Sequence, residues 1–144
     1  MPDTAEALDQ LAGSKYRSKM NLCSGFWQVP IQAESKRIAA FITRRGLFQP
    51  KVMPFGLTNS PTTFQRAMDR LLGDARGQWA WVHMDDIIVY SQTFEDHLQH
   101  LNELFKRIRD YQFYLKLSKC EFAREEMEYL GHQINSYGIR PTND

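Results

Sequence analysis

The order in which helical and strand periodicities follow one another predicts an α+β domain with an antiparallel sheet packed on helices: helix, strands, helix, hairpin, helix, hairpin. Two further observations agree. Turn residues separate pairs of β-prone runs, which joins them as hairpins rather than through crossovers. The chain's 144 residues, 42% hydrophobic and 24% charged, suffice for one domain with its own core.

Thr4 to Gly13 reads as a short helix, with Leu8, Leu11 and Ala12 at helical spacing and Gly13 as its stop. Tyr16 to Leu22 reads as a strand, and Phe26 to Ile31 alternates weakly as far as Pro30. Ile38–Thr43 and Leu47–Met53 flank Arg44-Arg45-Gly46 and predict a hairpin. Met53 to Pro61 is broken by Pro and Gly, so it is a loop; Asn59 or Ser60 can cap the next helix, and Pro61 suits its first turn. Phe64, Ala67, Met68, Leu71 and Leu72 give that helix its stripe, ending at Gly73. Trp79 to Ser91 holds two β-prone runs around Asp85-Asp86, a second hairpin. Phe94, His97, Leu98, Leu101, Leu104, Phe105 and Ile108 then trace the most regular helix. Cys120–Ala123 and Met127–Ile134 read as a third hairpin around Arg124-Glu125-Glu126, with Gly131 inside its second strand.

Composition excludes several classes. No apolar run is long enough to span a membrane, and nothing at the N-terminus reads as a secretory signal. Cys23 and Cys120 form neither a disulfide framework nor a zinc site, and buried thiols in a reducing compartment are expected. There is no phosphate-binding glycine loop, dinucleotide fingerprint or nucleophile elbow. The net charge of +1 argues against a simple cationic nucleic-acid binder. The charge is unevenly spread, however. Lys15, Arg17, Lys19, Lys36, Arg37, Arg44, Arg45 and Lys51 meet only Glu34 within 15–51, whereas the centre of the chain is acidic. Such a map suits a polyanion-facing lobe joined to an acidic site, and equally a solvated basic face.

The acidic pair carries the chemistry. Two adjacent carboxylates between apolar strands raise each other's cost of ionisation. A bound divalent cation relieves that cost, and oxygen-only donors point to Mg²⁺ or Mn²⁺ rather than Zn²⁺. The alternative is an ordinary turn with both carboxylates in water. His97 and His100 lie three apart on one helix, but no further zinc ligand accompanies them.

Five ordered segments carry a family resemblance: "LAGSKYRSKMNLCSGFWQVPI", "MPFGLTNSPTTFQRAMDRLL", "VHMDDIIVYS", "FEDHLQHLNELFKRI" and "CEFAREEMEYLGHQINSYGIRP". Together they resemble the reverse transcriptase of gypsy-class LTR retrotransposons. The resemblance implies a right-hand polymerase palm with part of the fingers. The fingers-side segment would lie at about 30–55 and the palm would make up the rest of 1–144, with the earlier fingers strands, thumb and RNase H absent. It implies RNA-directed DNA polymerisation by two-metal nucleotidyl transfer, with two Mg²⁺ or Mn²⁺ ions expected in an active homologue. Asp85, Asp86 and the position of Asn21 would be catalytic, with the metals held by Asp85, Asp86 and the Leu22 backbone carbonyl. Phe26 matches the gate against the ribose 2′-OH. Lys36 and Arg37 match a basic fingers-side stretch, Phe55-Gly56 the loop along the nucleotide, and Leu130-Gly131 the turn that grips the primer end. The implied partners are RNA template, DNA primer, deoxynucleotide triphosphates and the rest of the polyprotein, in the cytoplasm or within virus-like particles.

The chain departs from this pattern at two positions. Asn21 stands where the family has its first metal-binding Asp, and His83 where it has an aromatic, usually Tyr. Asn is nearly isosteric with Asp but neutral. Two readings follow: a polymerase palm weakened at Asn21, or a domesticated or decayed palm that binds nucleic acid or a protein partner without catalysis. An RNA-copying RNA polymerase is a remote third, against which "MPFGLTNSP" and Phe26 argue by resemblance.

Overall fold

The computed structural model describes residues 4–22, 36, 40–51, 60–83 and 85–142. Helix α1 (Thr4–Ala12) places Ala7, Leu8 and Leu11 on one buried face and ends at Gly13, as expected. Strand β1 (Tyr16–Asn21) follows. The short ribbon β2 (Phe41–Thr43) and β3 (Gly46–Phe48) turns at Arg44-Arg45, where the Thr43 hydroxyl accepts from the Arg45 N–H at 3.1 Å. All six of its strand residues are exposed. Helix α2 (Ser60–Leu72) buries Phe64, Met68, Leu71 and Leu72 and stops at Gly73, whose φ of 52° lies in the left-handed region that glycine enters without strain. The expected cap at Asn59 or Ser60, the Pro61 side chain, the strand at Phe26–Ile31 and Cys23 lie outside what is described.

Strands β4 (Ala80–His83) and β5 (Asp86–Ser91) form the hairpin that the acidic pair announced, with His83 opposite Asp86. Helix α3 (Phe94–Asp110) begins at Thr93, whose side chain accepts from the Asp96 N–H. Glu95 and Asp96 lie in its first turn and Arg107 and Arg109 in its last, complementing the helix dipole. Of its seven-residue apolar stripe only His97, Leu101, Leu104 and Ile108 are buried; Phe94, Leu98 and Phe105 form a second, exposed stripe. Strand β6 (Glu121–Arg124) completes a four-stranded sheet in the order β4-β5-β1-β6.

The expected third hairpin is corrected here. Strand β6 pairs with β1, not with its successor. The hairpin instead joins β7 (Met127–Tyr129) to β8 (His132–Asn135), and β9 (Gly138–Pro141) extends it into a three-stranded sheet. Gly131 therefore lies in a turn, not in a strand. Leu130 and Gly131 both have positive φ, 52° and 75°, the requirement of a two-residue turn whose twist matches its strands.

The four-stranded sheet is covered on both faces, which explains the unbroken apolar run of β5. Ile87 and Val89 face Met20, Phe64, Met68 and Leu104 beneath α2 and α3. Ile88 and Tyr90 face Leu8, Leu11, Met127 and Ile134 beneath α1 and the small sheet. Three polar clips fix these layers. Arg17, fully buried, donates to the carbonyls of Leu11, Ser14 and Glu125. Arg107 closes the end of α2 by donating to the Leu71 and Leu72 carbonyls, and pairs with Asp74 at 2.8 Å. The Gln10 carbonyl oxygen accepts from the Trp81 indole and the Tyr90 hydroxyl.

A fourth polar group lies between α3 and the sheet. His97 Nε2 is 2.6 Å from Ser18 Oγ, and its Nδ1 is 2.9 Å from Ser91 Oγ, which in turn is 2.7 Å from His100 Nδ1. Burial, and then the neighbouring His100, lower the His97 imidazole to about 4 from its ordinary 6.5. The unfolded chain therefore takes up the proton first. The stability this group contributes is complete above about pH 6.5 and is lost as the pH falls toward 4. Urea unfolding across that window should show a loss of as much as about 3 kcal/mol attributable to His97. The His97→Asn variant should lose less stability than the native chain between the same pH values; parallel profiles would contradict the account.

Candidate active site

The antiparallel register of β1 on β5 pairs Asn21 with Asp86. Asp85 occupies the turn that enters β5, and its carbonyl accepts from the Leu22 N–H at 3.0 Å. The Asn21 carbonyl accepts from the Lys116 N–H at 2.7 Å, so the end of β1 is tied on both sides. The Asn21 side chain then donates through Nδ2 to Asp86 Oδ1 at 2.9 Å. A carboxylate can only accept, so the nitrogen end of the amide must face it.

Asp85 is in a different position. Its Oδ1 is buried without a hydrogen-bond partner among the described residues. Burial, and next the charge of Asp86, raise its carboxyl above the ordinary carboxylate range, and the Lys119 ammonium pulls it partly back. Neither reading of the acidic pair as a plain solvated turn nor as a fully partnered structural pair fits an anionic oxygen left this way. The Tyr129 phenol is likewise pushed up, by burial and then by Asp86. Tyr129, the residue before the Leu130-Gly131 turn, shares a buried cluster with Ile88 and Tyr90 of β5. The turn is braced: His132 Nδ1 donates to the Leu130 carbonyl at 2.8 Å, and Thr142 donates to the Gly131 carbonyl through both its N–H and its hydroxyl.

The sequence-derived residues thus fall into three sets. Asn21, Leu22, Asp85 and Asp86 converge, while Leu130 packs against the buried cluster that includes Ile88 and Tyr90 of β5. Lys36 is half-buried, with Arg37 beside it outside the described residues. Phe26, Phe55 and Gly56 also lie outside. Residues that sequence reasoning did not single out are Lys119, whose charge acts on the Asp85 carboxyl, and Tyr129, whose phenol is pushed up by burial and then by Asp86. The basic map is revised as well. Arg17 is buried, and Lys19 pairs with Glu121 at 3.3 Å, which leaves Lys15, Arg44, Arg45 and Lys51 as the exposed cations among the described residues of that stretch. Cys120 is half-buried rather than buried. His97 lies against the Ser18 and Ser91 hydroxyls, and His100 against that of Ser91.

A divalent cation is the natural partner of the unsatisfied Asp85 oxygen. The donor set fits such an ion at Asp85. At Asp86 the Asn21 N–H takes one of the carboxylate's acceptor positions and leaves the others open. Among the described residues no third His, Cys, Asp or Glu gathers with the pair.

The family model described as reverse transcriptase (RNA-dependent DNA polymerase) matches residues 1–134. The chain belongs to the reverse transcriptase family. It is 36% identical over 141 residues to the retrovirus-related Pol polyprotein from transposon 297 of Drosophila melanogaster, covering 98% of this chain and 13% of that polyprotein. It is also 36% identical over 143 residues to the enzymatic polyprotein of figwort mosaic virus (strain DxS), covering 99% of this chain and 21% of that protein. Its backbone is similar to that of the foamy viral protease–reverse transcriptase in complex with an RNA/DNA hybrid. The TM-score is 0.85 and the identity 31%, over 97% of this chain and 19% of that one. The chain therefore spans a small part of the polyproteins it resembles. The gypsy-class resemblance read from the five segments and the α+β palm fold both stand. Reverse transcriptases as a family use divalent metal ions. No helix among the described residues is long and apolar enough to cross a membrane.

Because the folded state holds Asp85 above its unfolded value, its contribution is favourable only at low pH and is lost as the pH rises through the folded value. Asp85→Asn should therefore raise the melting temperature of the chain in EDTA at pH 7, and that gain should vanish below about pH 4. Calorimetry at the two pH values checks this; a lower melting temperature at pH 7 would contradict it.

Proposed function

We propose that this chain is the palm, with a fingers-side segment at about 30–55, of the RNA-directed DNA polymerase of an LTR-retrotransposon polyprotein. The observation that carries the reading is the Asp85-Asp86 pair at the tip of the β4–β5 hairpin, set against the end of β1 in a chain of this family. The partners are RNA template, DNA primer and deoxynucleotide triphosphates. The earlier fingers strands, the thumb and RNase H come from the rest of the polyprotein. The place of action is intracellular, in the cytoplasm or in virus-like particles.

Each residue takes the part that the family resemblance gives it. Asp85 and Asp86, with the Leu22 carbonyl, would hold Mg²⁺ or Mn²⁺, which would supply charge neutralisation at the nucleotide's phosphates. Phe26 walls off a ribose 2′-OH. Lys36, Arg37, Phe55 and Gly56 line the nucleotide, and the braced Leu130-Gly131 turn holds the primer end. A foamy viral relative was solved on an RNA/DNA hybrid and another on double-stranded DNA, which supports a duplex as the ligand.

The Asn21–Asp86 hydrogen bond favours a low catalytic output, and with it the second reading of a palm that binds without turning over. Stabilisation of developing charge by preorganised groups is usually the largest catalytic contribution, and Asn21 removes one anionic ligand from it. The test is primer extension on an RNA template with Mg²⁺, using a full-length enzyme of the family that carries this palm. Asn21→Asp should raise the rate by about 10²-fold or more, and His83→Tyr by less. Equal rates for Asn21 and Asn21→Asp would show that the neutral residue costs nothing.

Duplex binding should rest on phosphate contacts from the exposed cations. Neutralising Arg44, Arg45 and Lys51 together should weaken RNA–DNA duplex binding and flatten its dependence on salt, since each phosphate contact releases counterions. Filter binding across a salt series reads the slope; an unchanged slope would place the duplex elsewhere.

A further inference from the structure

We infer that the exposed apolar stripe of α3 is a docking surface for a second copy of this chain, whose own α3 lies antiparallel to the first across a two-fold axis near Leu101 and Asn102. The inference does not depend on the polymerase reading.

Helix α3 turns His97, Leu101, Leu104 and Ile108 into the domain and holds Phe94, Leu98 and Phe105 beside them, 49%, 51% and 40% exposed. Strand residues extend the stripe. The Phe94 ring stands edge-on to Tyr16 of β1, with centroids 5.6 Å apart, and the Phe105 ring edge-on to Phe122 of β6, at 6.2 Å. Phe122 is itself 40% exposed, on an edge strand of the sheet. These ring pairs fix the aromatic side chains before any partner arrives, which lowers the entropy cost of docking. Phe94, Leu98, Phe105 and Phe122 together leave roughly 350 Å² of apolar surface in water, in the range of the largest patch of a typical monomer, which is often functional.

Charge selects the occupant. At 3.6 residues per turn, the polar flank of the stripe carries Glu95 near its N-terminal end, Gln99 and Asn102 in the middle, and Lys106 and Arg109 near its C-terminal end, all exposed. Arg109 also pairs with Asp110 at 3.6 Å, but both side chains are open to water and such a pair holds it weakly. An antiparallel helix pair centred on Leu101 and Asn102 sets Leu98 against Phe105 of the second copy. It also sets each polar flank against the same flank of the other copy, so that Glu95 of each meets Lys106 and Arg109 of the other. A parallel pair would set like charges together. A partner of one charge sign would satisfy only one end of the flank, whereas a second α3 satisfies both, as an isologous contact requires. Patch and flanks from two copies reach the low end of specific interfaces, about 1,200 Å², so the dimer is weak, with a dissociation constant on the order of 10 μM.

The experiment is sedimentation velocity of the 144-residue chain over a concentration series, with melting followed by circular dichroism. The native chain should pass from monomer to dimer. Leu98→Asp should stay monomeric while melting near the native temperature, since Leu98 packs in neither buried cluster. Glu95→Arg and Arg109→Glu should each weaken the dimer by about five-fold, because each change counts twice across the axis. The double variant should return to near the native affinity. Both reversals oppose the helix dipole, so that recovery cannot come from a firmer helix. A native chain that remains monomeric at about ten times the expected dissociation constant would overturn the inference and leave the stripe to another partner. A dimer that persists in Leu98→Asp, or a double variant no tighter than the single ones, would overturn it as well.

Discussion

The antiparallel register of β1 on β5 is the constraint on which the rest of the site depends. Six consecutive pairs run from Tyr16 with Ser91 to Asn21 with Asp86. A slip of one residue would turn every side chain of β1 to the other face of the sheet. Met20 would leave the core beneath α2 and α3, and Asn21 would leave Asp86. Because both faces of the sheet are packed, neither loss can be absorbed by solvent. The hydrophobic pattern that folds the domain is therefore the same pattern that positions the site.

Polar clips then hold that register from outside the strands. Arg17 is fully buried yet satisfied by three carbonyls drawn from α1, the α1–β1 connection and the connection after β6. A buried guanidinium so placed is costly to disturb, since removing any acceptor leaves an unpaired charge. On the opposite face Ser18 accepts from the Ala123 N–H and contacts His97. Ala123 has a φ of 51°, and the β1–β6 register shifts between Arg17 and Lys19. Such a bulge lets the edge strand bend while β1 stays straight against β5. The chemistry at Asn21 and Asp86 is thus insulated from irregularity on the other side of its own strand.

What the sequence made legible divides along the range of the interactions. Helices α1, α2 and α3 and the β4–β5 hairpin were readable because stripes, caps and turn residues are local signals. The acidic pair stood out by its electrostatic cost, but that cost left an ordinary solvated turn open, and its metal-facing role came from the family resemblance. The partner of β6 was not, because Arg124-Glu125-Glu126 has turn chemistry while the strands on either side of it belong to different sheets. Gly131 was misplaced by continuous alternation from Met127 to Ile134, whereas the resemblance to the family's primer-grip turn put it correctly in a turn. The importance of Asn21 came from resemblance, and its bond to Asp86 from strand pairing. Arg17 counted as one more surface cation, and Lys119, Tyr129 and the Ser18–His97–Ser91 group gave no signal, because each depends on residues far away in sequence.

The central claim is that the Asn21 amide is committed to Asp86. The side-chain amide resonances of Asn21 in a proton–nitrogen NMR spectrum of the metal-free chain test it most directly. The account predicts one shifted Nδ2 proton that exchanges slowly with water and reverts to an ordinary, fast-exchanging position in Asp86→Ala. An Asn21 amide that exchanges like a free surface side chain, and ignores the loss of Asp86, would contradict it.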